Sequence, residues 1–520
     1  MNKKKRITSV CLIVVLTVLM FSYNLFHAEG ESIHFNGKDD QNGLVIWYAD
    51  EAMSNFINSA ALDYSQQSGI KVKPVLVSGV DYLEHVNEAS VRENSEEAMP
   101  DLIVMTNDNL EKAFLAGLAT EIADGGFWVN EDNYPRAALS AVEYKDKYIG
   151  YPFYFETALL LYNQTYMGEL AQKTIEAEAN AQAGEEAMAL IEQQESEEAA
   201  SDQVVAEDEE IVVTEEEIED KINVIIPATI DDILTFAEEY DAPEQVEAVF
   251  KWDVADIFYN YFMVGNYMNV GTDTGDDPTQ IDIYNEDTIA CLKVYQSLNQ
   301  FFSISPKEVS YDSILKEFME GKTVFAVATT DAISKLERAK ENGEFAYEYG
   351  VTTLPDVSAT RASRTLSVTN AIVINGYSEN KAIANDFAKY LSYDMAGELY
   401  ERTDKIGARK NVEYKNKNVN VALNEYENSV PLPKMLETSN FWVQLEICFT
   451  NVWNGKDVNT ALRELSEMIK SQVTGTEYKE EVLPDPVEET EEMEEAEESE
   501  EGDTSEESTS EESSSEGTEQ

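Results

Sequence analysis

The sequence predicts an α/β fold, and three observations carry that reading. Leu44-Val45-Ile46-Trp47-Tyr48, Ile70-Lys71-Val72-Lys73-Pro74-Val75 and Asp101-Leu102-Ile103-Val104-Met105 are short apolar, β-branched runs of strand length. Residues 51–68 and 81–97, which separate them, carry helical spacing. Hydrophobic residues make up 43% of the 520, enough for a large core in roughly two to four domains. Strand, helix, strand, helix, strand at this interval predicts a parallel sheet covered by helices.

The elements follow in order. Lys3-Lys4-Lys5-Arg6 and the apolar run Ile7–Phe21 have the anatomy of an export signal, so residues 1–28 are read as a signal peptide or N-terminal membrane anchor. The positive end stays in the cytoplasm and the rest lies outside. Residues 29–43, with Gly30, Gly37, Lys38, Asp39 and Asp40, read as a linker. In 51–68, Phe56, Ala60 and Tyr64 share one face, and Gly69 supplies the stop. Ala158–Tyr162, Thr323–Ala328 and Thr369–Ile374 are strands. Thr229–Tyr240 is a helix with Thr229 as N-cap and Asp232 three residues on. Residues 254–268 are apolar and aromatic, and further helices fall at 288–302, 379–392, 394–403, 440–454 and 457–473.

Charge is concentrated. Against 37 Lys and Arg stand 102 Asp and Glu, for a net −65. Residues 480–520 hold 20 acids and no Lys or Arg, and 168–222 hold 19 acids and two lysines, which leaves −28 elsewhere. Within the second block, 169–199 has the composition of a solvated helix, and Glu207–Asp220 is expected to be loosely ordered. The Glu/Ser/Thr tail, 480–520, has too little apolar surface to offset ordering entropy and is expected to be disordered.

Several functions are excluded by these counts. Nucleic-acid binding needs Lys and Arg to neutralise phosphates, and no basic patch is present. Three cysteines, one of them (Cys11) in the apolar leader, allow at most one disulfide, and none has zinc-ligand spacing. With three histidines, no Gly-x-Ser-x-Gly and no Gly-x-x-x-x-Gly-Lys-Ser/Thr, neither a serine hydrolase nor an ATPase is indicated. Glycosidase carboxylate pairs are uninformative in so acidic a chain. Asp273, Asp276, Asp277 and Asp282 lack calcium-loop spacing and read as a solvated surface loop. No metal or cofactor is expected.

Four separated stretches point one way. Leu44-Val45-Ile46-Trp47 is followed by Gly69-Ile70-Lys71-Val72. Pro100-Asp101-Leu102-Ile103-Val104 leads to Asp108 and Gly117-Leu118-Ala119-Thr120-Glu121-Ile122. Gly150-Tyr151-Pro152 precedes Glu156-Thr157-Ala158-Leu159-Leu160-Leu161-Tyr162-Asn163. Pro433-Lys434-Met435 precedes Phe441-Trp442, Asn451, Gly455 and Ala461-Leu462. In this order they resemble the family 1 extracellular solute-binding proteins of ABC importers, most of all the maltose and maltodextrin binders. The resemblance covers about 44–167 and 224–475.

It implies the two-lobed periplasmic-binding-protein fold, with a ligand cleft between lobes joined by crossing hinge segments. Lobe 1 would be 44–155 and 368–417; lobe 2 would be 158–366 and 418–475, with 168–222 inserted in it. The lobes of such proteins close on ligand, a hinge motion. It further implies a monomer that delivers sugar to a membrane permease powered by a separate ATPase.

Sugar recognition uses carboxylates and amides for the hydroxyls and aromatic faces for the rings. Asp108 follows a strand at its carboxyl end, where ligands bind in such sheets, and the resemblance makes it a sugar contact; the other reading is a cap for a helix from Leu110. Glu156 sits among Phe153, Tyr154 and Phe155, where an unmatched carboxylate is costly; the resemblance makes it a ligand contact, the alternative an exposed hinge residue. Trp442 would stack on a glucose ring or pack in the core. Glu51 matches an acid in the loop after the first strand, although the neighbouring lysine of the maltose binders is replaced by Ala52. Tyr48 lines the cleft or the core, and Trp252 and Asp253 fall where a cleft aromatic is expected. Two tryptophans of the maltose binders are missing, with Thr329-Thr330-Asp331 and Met105 in their places, which leaves the identity of the sugar open. The other readings are a binder of a non-sugar solute such as a peptide or polyamine, and a surface adhesion or structural protein.

Overall fold

A computed structural model describes residues 43–77, 79, 81–91, 98–124, 126–195, 212–436 and 440–486. The leader (1–28) and nearly all of the linker (29–43) lie outside them. No helix among the described residues is long and apolar enough to cross a membrane.

Fourteen strands are formed among the described residues. In chain order they are β1 (Gly43–Tyr48), β2 (Lys71–Leu76), β3 (Leu102–Thr106), β4 (Glu143–Tyr144), β5 (Lys147–Tyr148), β6 (Tyr151–Asn163), β7 (Ala248–Lys251), β8 (Asn269–Val270), β9 (Ile281–Asp282), β10 (Thr323–Thr329), β11 (Tyr349–Thr352), β12 (Leu366–Ile374), β13 (Ile406–Gly407) and β14 (Val430–Pro431). The main path runs β2-β1-β3-β12-β6-β10-β7. β1 and β3 are parallel, as the early alternation predicts, with Ile46 opposite Leu102. The parallel reading fails further on: β12 runs antiparallel to both β3 and β6, and β6 runs antiparallel to β10. The sheet is therefore mixed.

β6 is the long element, and the expected strand 158–162 is only its second half. Its first half pairs with β12 on one side and β13 on the other, with Ile406 opposite Phe155. Its second half pairs with β10 and β11, with Leu160 opposite both Val327 and Thr352. All 13 residues are buried except Glu156 and Tyr162, which are partly so. Burial on both faces removes the period-2 alternation that would have marked its length.

The core divides along strand faces. On β10, Ala326 and Ala328 join a cluster that contains β1, β3 and Ile333 and Leu336 of the helix Asp331–Glu341. Phe325 and Val327, on the opposite face, join a second cluster with Trp252, Tyr295 and Trp453. Both cysteines in the described part, Cys291 and Cys448, are buried and free.

Helix ends follow sequence chemistry. Gly69 adopts φ 77° and closes the helix Ser54–Ser68. Thr229 and Asp232 cap Ile230–Glu239 reciprocally. The 254–268 stretch forms two short 3-10 turns, Ile257–Tyr259 and Tyr261–Met263. The acidic insertion begins as the helix Gln164–Glu195, whose Tyr166, Met167 and Ala171 are buried. The expectation of loose order over Glu207–Asp220 is corrected from residue 212 onward: Glu215–Ile225 is a helix, started by a capping box between Thr214 and Glu217 and held by buried Ile222. Lys221 pairs with Glu178 of the preceding helix at 2.6 Å. The acidic tail is also ordered at its start. Glu480 accepts from Ser466 and Lys470, and the Leu483 amide donates to Tyr284 Oη. The remainder of the tail, from 487, lies outside the described residues.

Three segments run side by side at the centre, 155–158, 365–368 and 429–432. Thr157 Oγ1 donates to the Leu366 carbonyl at 2.8 Å, and Thr365 Oγ1 donates to Glu425 at 2.7 Å. Ser429 Oγ donates to Ser367 Oγ at 2.7 Å, and Asn107 Nδ2 donates to the Leu432 carbonyl at 2.7 Å. Behind them Phe155 stacks on Tyr426 at 3.8 Å. Lys434, 1% exposed, donates to the carbonyls of Ser140 and Thr274. Its burial lowers the ammonium to about 8.

Two outcomes are expected. Thr214→Ala removes one half of the capping box, costing about 1 kcal/mol of helix stability; amide exchange should speed up roughly fivefold over 215–225 and stay unchanged elsewhere. Burial raises the Glu425 carboxyl to about 7. Its value in the unfolded chain is about 4.3, so between those two the folded state holds the extra proton and stability falls as pH rises through that window. Denaturation series from pH 4 to 8 should show that slope, and Glu425→Gln should flatten it.

Candidate ligand-binding site

A cavity of about 420 Å³ opens at the carboxyl ends of β1 and β3, over the middle of β6 and β12. Its polar lining is Asp50, Tyr82, Thr106, Asn109, Tyr154, Glu156 and Asn370, with Val104 and Met105 among the apolar walls. Strand ends place these groups. β1 finishes at Tyr48, and Asp50 caps the following 3-10 turn by accepting from the Ala52 amide at 3.0 Å. Its other oxygen accepts from Tyr154 Oη at 3.2 Å.

Glu156 points into the same space, and its partner comes from far along the chain. Lys405 Nζ lies 2.7 Å from Glu156 and 3.5 Å from Asp50. Burial alone would lower the Lys405 ammonium; Glu156 and Asp50 together outweigh that and hold it above the ordinary lysine value. Tyr154 is shifted far upward, first by burial and then by the two carboxylates. The Tyr82 hydroxyl is buried close to the Val104 backbone but makes no hydrogen bond of ordinary geometry. An orphaned hydroxyl of this kind is costly unless something polar meets it.

The seven residues expected from sequence fall into different places. Glu156 lines the cavity. Asp108 sits in the 3-10 turn Asn107–Asn109 at its rim, where its neighbour Asn109 is the lining residue. The helix Leu110–Leu115 has no side-chain cap, so Asp108 does not serve as one. Glu51 is exposed and is not among the lining residues; Asp50, one residue earlier, takes the position. Tyr48 is 3% exposed and donates to Ser54, a packing role.

Trp252 is a correction. It is 1% exposed, its indole N–H donates to Asn260 at 2.8 Å, and its faces are taken by Phe250 and Trp453. No face is left for a ligand. Asp253 is buried beside it, accepts from the Ala255 and Tyr311 amides at 3.0 and 3.1 Å, and is raised chiefly by that burial. Both of its oxygens act on the backbone. Trp442 starts the helix Phe441–Trp453, half-buried, edge-on to Tyr261 at 5.5 Å.

Thr329 and Asp331, which stand where a tryptophan was expected, form a polar knot. Tyr311 Oη and Thr329 Oγ1 both donate to Asp331 at 2.5 Å, and Lys335 pairs with it at 2.7 Å. Burial pushes the Asp331 carboxyl up, but Lys335, Thr329 and Tyr311 hold it below the ordinary value. The Thr330 amide donates to the Thr157 carbonyl, which puts this knot next to the residue following Glu156. The acidic loop at 273–277 is engaged by residues distant in sequence: Asp273 pairs with Arg136 and Arg364, and Asp276 accepts from the Lys145 amide. Among the described residues no three His, Cys, Asp or Glu side chains converge as metal ligands.

Residues 59–413 match the family described as bacterial extracellular solute-binding proteins. The chain belongs to that family. A maltodextrin-binding protein of Bacillus subtilis, MdxE, is 22% identical over 241 residues, which cover 43% of this chain and 55% of that protein. The chain thus matches little more than half the length of this curated relative. Among solved structures, the extracellular solute-binding protein of Staphylococcus aureus in complex with maltose superposes with a TM-score of 0.63 at 21% identity, covering 84% of this chain and 99% of that one. A cyclo/maltodextrin-binding protein with maltotetraose gives 0.62 at 19%, covering 84% and 98%. The maltose-binding protein MalE of Listeria monocytogenes gives 0.60 at 18%, covering 84% and 99%. At these identities the likeness establishes the two-lobed fold of this solute-binding protein.

The Tyr82 hydroxyl yields a direct expectation. Tyr82→Phe removes a buried hydroxyl that has no hydrogen bond of ordinary geometry, so the free protein should gain about 1 kcal/mol of stability. Because that hydroxyl is closed off from solvent, ligand affinity measured by calorimetric titration should stay unchanged.

Proposed function

We propose that this chain is the extracytoplasmic solute-binding component of an ABC importer, and that its cargo is a maltodextrin-like oligosaccharide. The observation that carries the reading is the cavity beneath Glu156. Its carboxylates, amides, threonine and tyrosine hydroxyls are the groups that recognise a polyhydroxylated ligand, set on rigid strand ends. The relatives named for maltodextrin and maltose point to the same chemistry.

In this reading Glu156, with Asp50 and Asn109 of the lining and Asp108 and Glu51 at the rim, takes the sugar hydroxyls. Trp442 offers a ring face from the other lobe. Tyr48 supports the wall from the core, while Trp252 and Asp253 take no part in it. Lobe 1 is 44–155 and 368–417, and lobe 2 is 158–366 and 418–475. The segments 155–158, 365–368 and 429–432 form the hinge on which the lobes close. The closed form, a monomer, docks on the permease at the outer face of the membrane, with residues 1–28 as leader or anchor. Binding and release complete the cycle without covalent chemistry.

The pairing of Lys405 with both acids weighs against a polyamine cargo, since it cancels one of the cavity's two negative charges. Thermal unfolding of the full chain against maltose, maltotriose, maltotetraose, amino acids and polyamines tests the reading. A glucan at about 100 times its Kd should add about 2.7 kcal/mol. The shift should vanish in Trp442→Ala. A shift with polyamines alone would keep the fold and replace the cargo.

A further inference from the structure

Lys405 stands in an unusual position for a surface-loop lysine. Its side chain is 20% exposed, and its ammonium lies between two carboxylates that line one cavity. The backbone holds it there. Asp404, in the left-handed region at φ 62°, closes the helix Ala396–Thr403, and the Lys405 amide donates to Thr403 Oγ1 at 3.1 Å. The next residues, Ile406-Gly407, pair with β6 opposite Phe155 and Tyr154, one step from Glu156. The ammonium also faces the Tyr154 ring at 5.8 Å. The rest of the polar lining, Tyr82, Thr106, Asn109, Tyr154 and Asn370, is uncharged. The charge of the cavity is therefore decided by three groups, two carboxylates and one ammonium.

We propose that Lys405 is a positioning residue and built-in counterion that makes this cavity select uncharged, hydroxyl-rich ligands over cationic ones. The proposal rests on the sugar-binding reading above for the preferred ligand. By holding Glu156 and Asp50, Lys405 fixes the two acceptors and leaves their remaining lone pairs for neutral donors such as hydroxyls. Without it the same two acids form an open site for a polyvalent ammonium. A partly exposed acid pair stripped of its cation attracts another one, and the ligand becomes that cation.

Calorimetric titration of the full chain with maltotriose and with spermidine, at low and at physiological salt, decides it. Lys405→Met should bind spermidine at least tenfold more tightly than the unmodified protein, with the gain shrinking as salt rises, while maltotriose weakens. Lys405→Arg keeps the charge and should keep the exclusion of spermidine. A purely structural role for Lys405 would lower maltotriose affinity without any gain for spermidine, so a gain below tenfold overturns the proposal. Should Lys405→Met fail to fold, Asp50→Asn reads the same balance from the other side. It raises the local charge by one and should tighten an anionic sugar, digalacturonate, at least tenfold; no gain overturns the proposal. If the unmodified protein binds no glucan, the sugar reading falls, and the spermidine gain in Lys405→Met still scores the counterion.

Discussion

The structure depends on one backbone constraint, the continuous hydrogen bonding of β6. Its thirteen residues run through one mixed sheet, with partner strands on both sides at Tyr154–Phe155 and again along its second half. Such a strand has almost no freedom to twist or slip, because every shift would break two ladders and turn buried side chains to the wrong face. Glu156 lies midway along it. Its position is therefore fixed by the ladder and not by its own contacts. Lys405 is fixed in the same way, one residue before β13, which is itself laid along β6. The two ends of the ion pair hang from one set of backbone bonds, and this rigidity preorganises the cavity for a ligand.

The polar groups packed around the crossing follow the same logic. Thr157, Thr365, Ser367, Ser429 and Asn107 are all buried, and each is hydrogen-bonded to a neighbouring segment. An apolar crossing of the same volume would pack in several registers. Directional bonds between three strands leave one register that satisfies every group. Glu425 is the exception in chemistry, an acid whose affinity for its proton is raised by burial behind this array.

Local chemistry made much of the fold legible. Apolar runs separated by amphipathic segments gave β1 to β3, and Gly69, Thr229 and Asp232 marked helix ends where the caps are found. The ordered series of weak motifs carried the two-lobed architecture. What was not legible was long-range. Lys405 and Glu156 are 249 residues apart, and no spacing rule links them. Asp50 and Glu51 are adjacent acids alike in sequence, and only the turn after β1 puts Asp50 in the cavity lining and leaves Glu51 exposed. Trp252 looked like a cleft aromatic, yet burial of its indole with Asn260 is a tertiary fact. The helix Glu215–Ile225 is different: its Thr-x-x-Glu box is present in the sequence, but the density of acids around it points to loose order. Capping and one buried isoleucine outweighed charge repulsion.

The acidic insertion leaves and re-enters the fold through a single pair of packed helices, joined by Lys221 and Glu178 and seated on Tyr166, Met167 and Ile222. Its two ends are thus stapled together before the chain between 195 and 212 begins. Loop-closure entropy grows only with the logarithm of length, so residues added or lost between those staples cost the two-lobed frame almost nothing. The insertion is a place where the surface can be lengthened, shortened or recharged without disturbing the strand that carries Glu156.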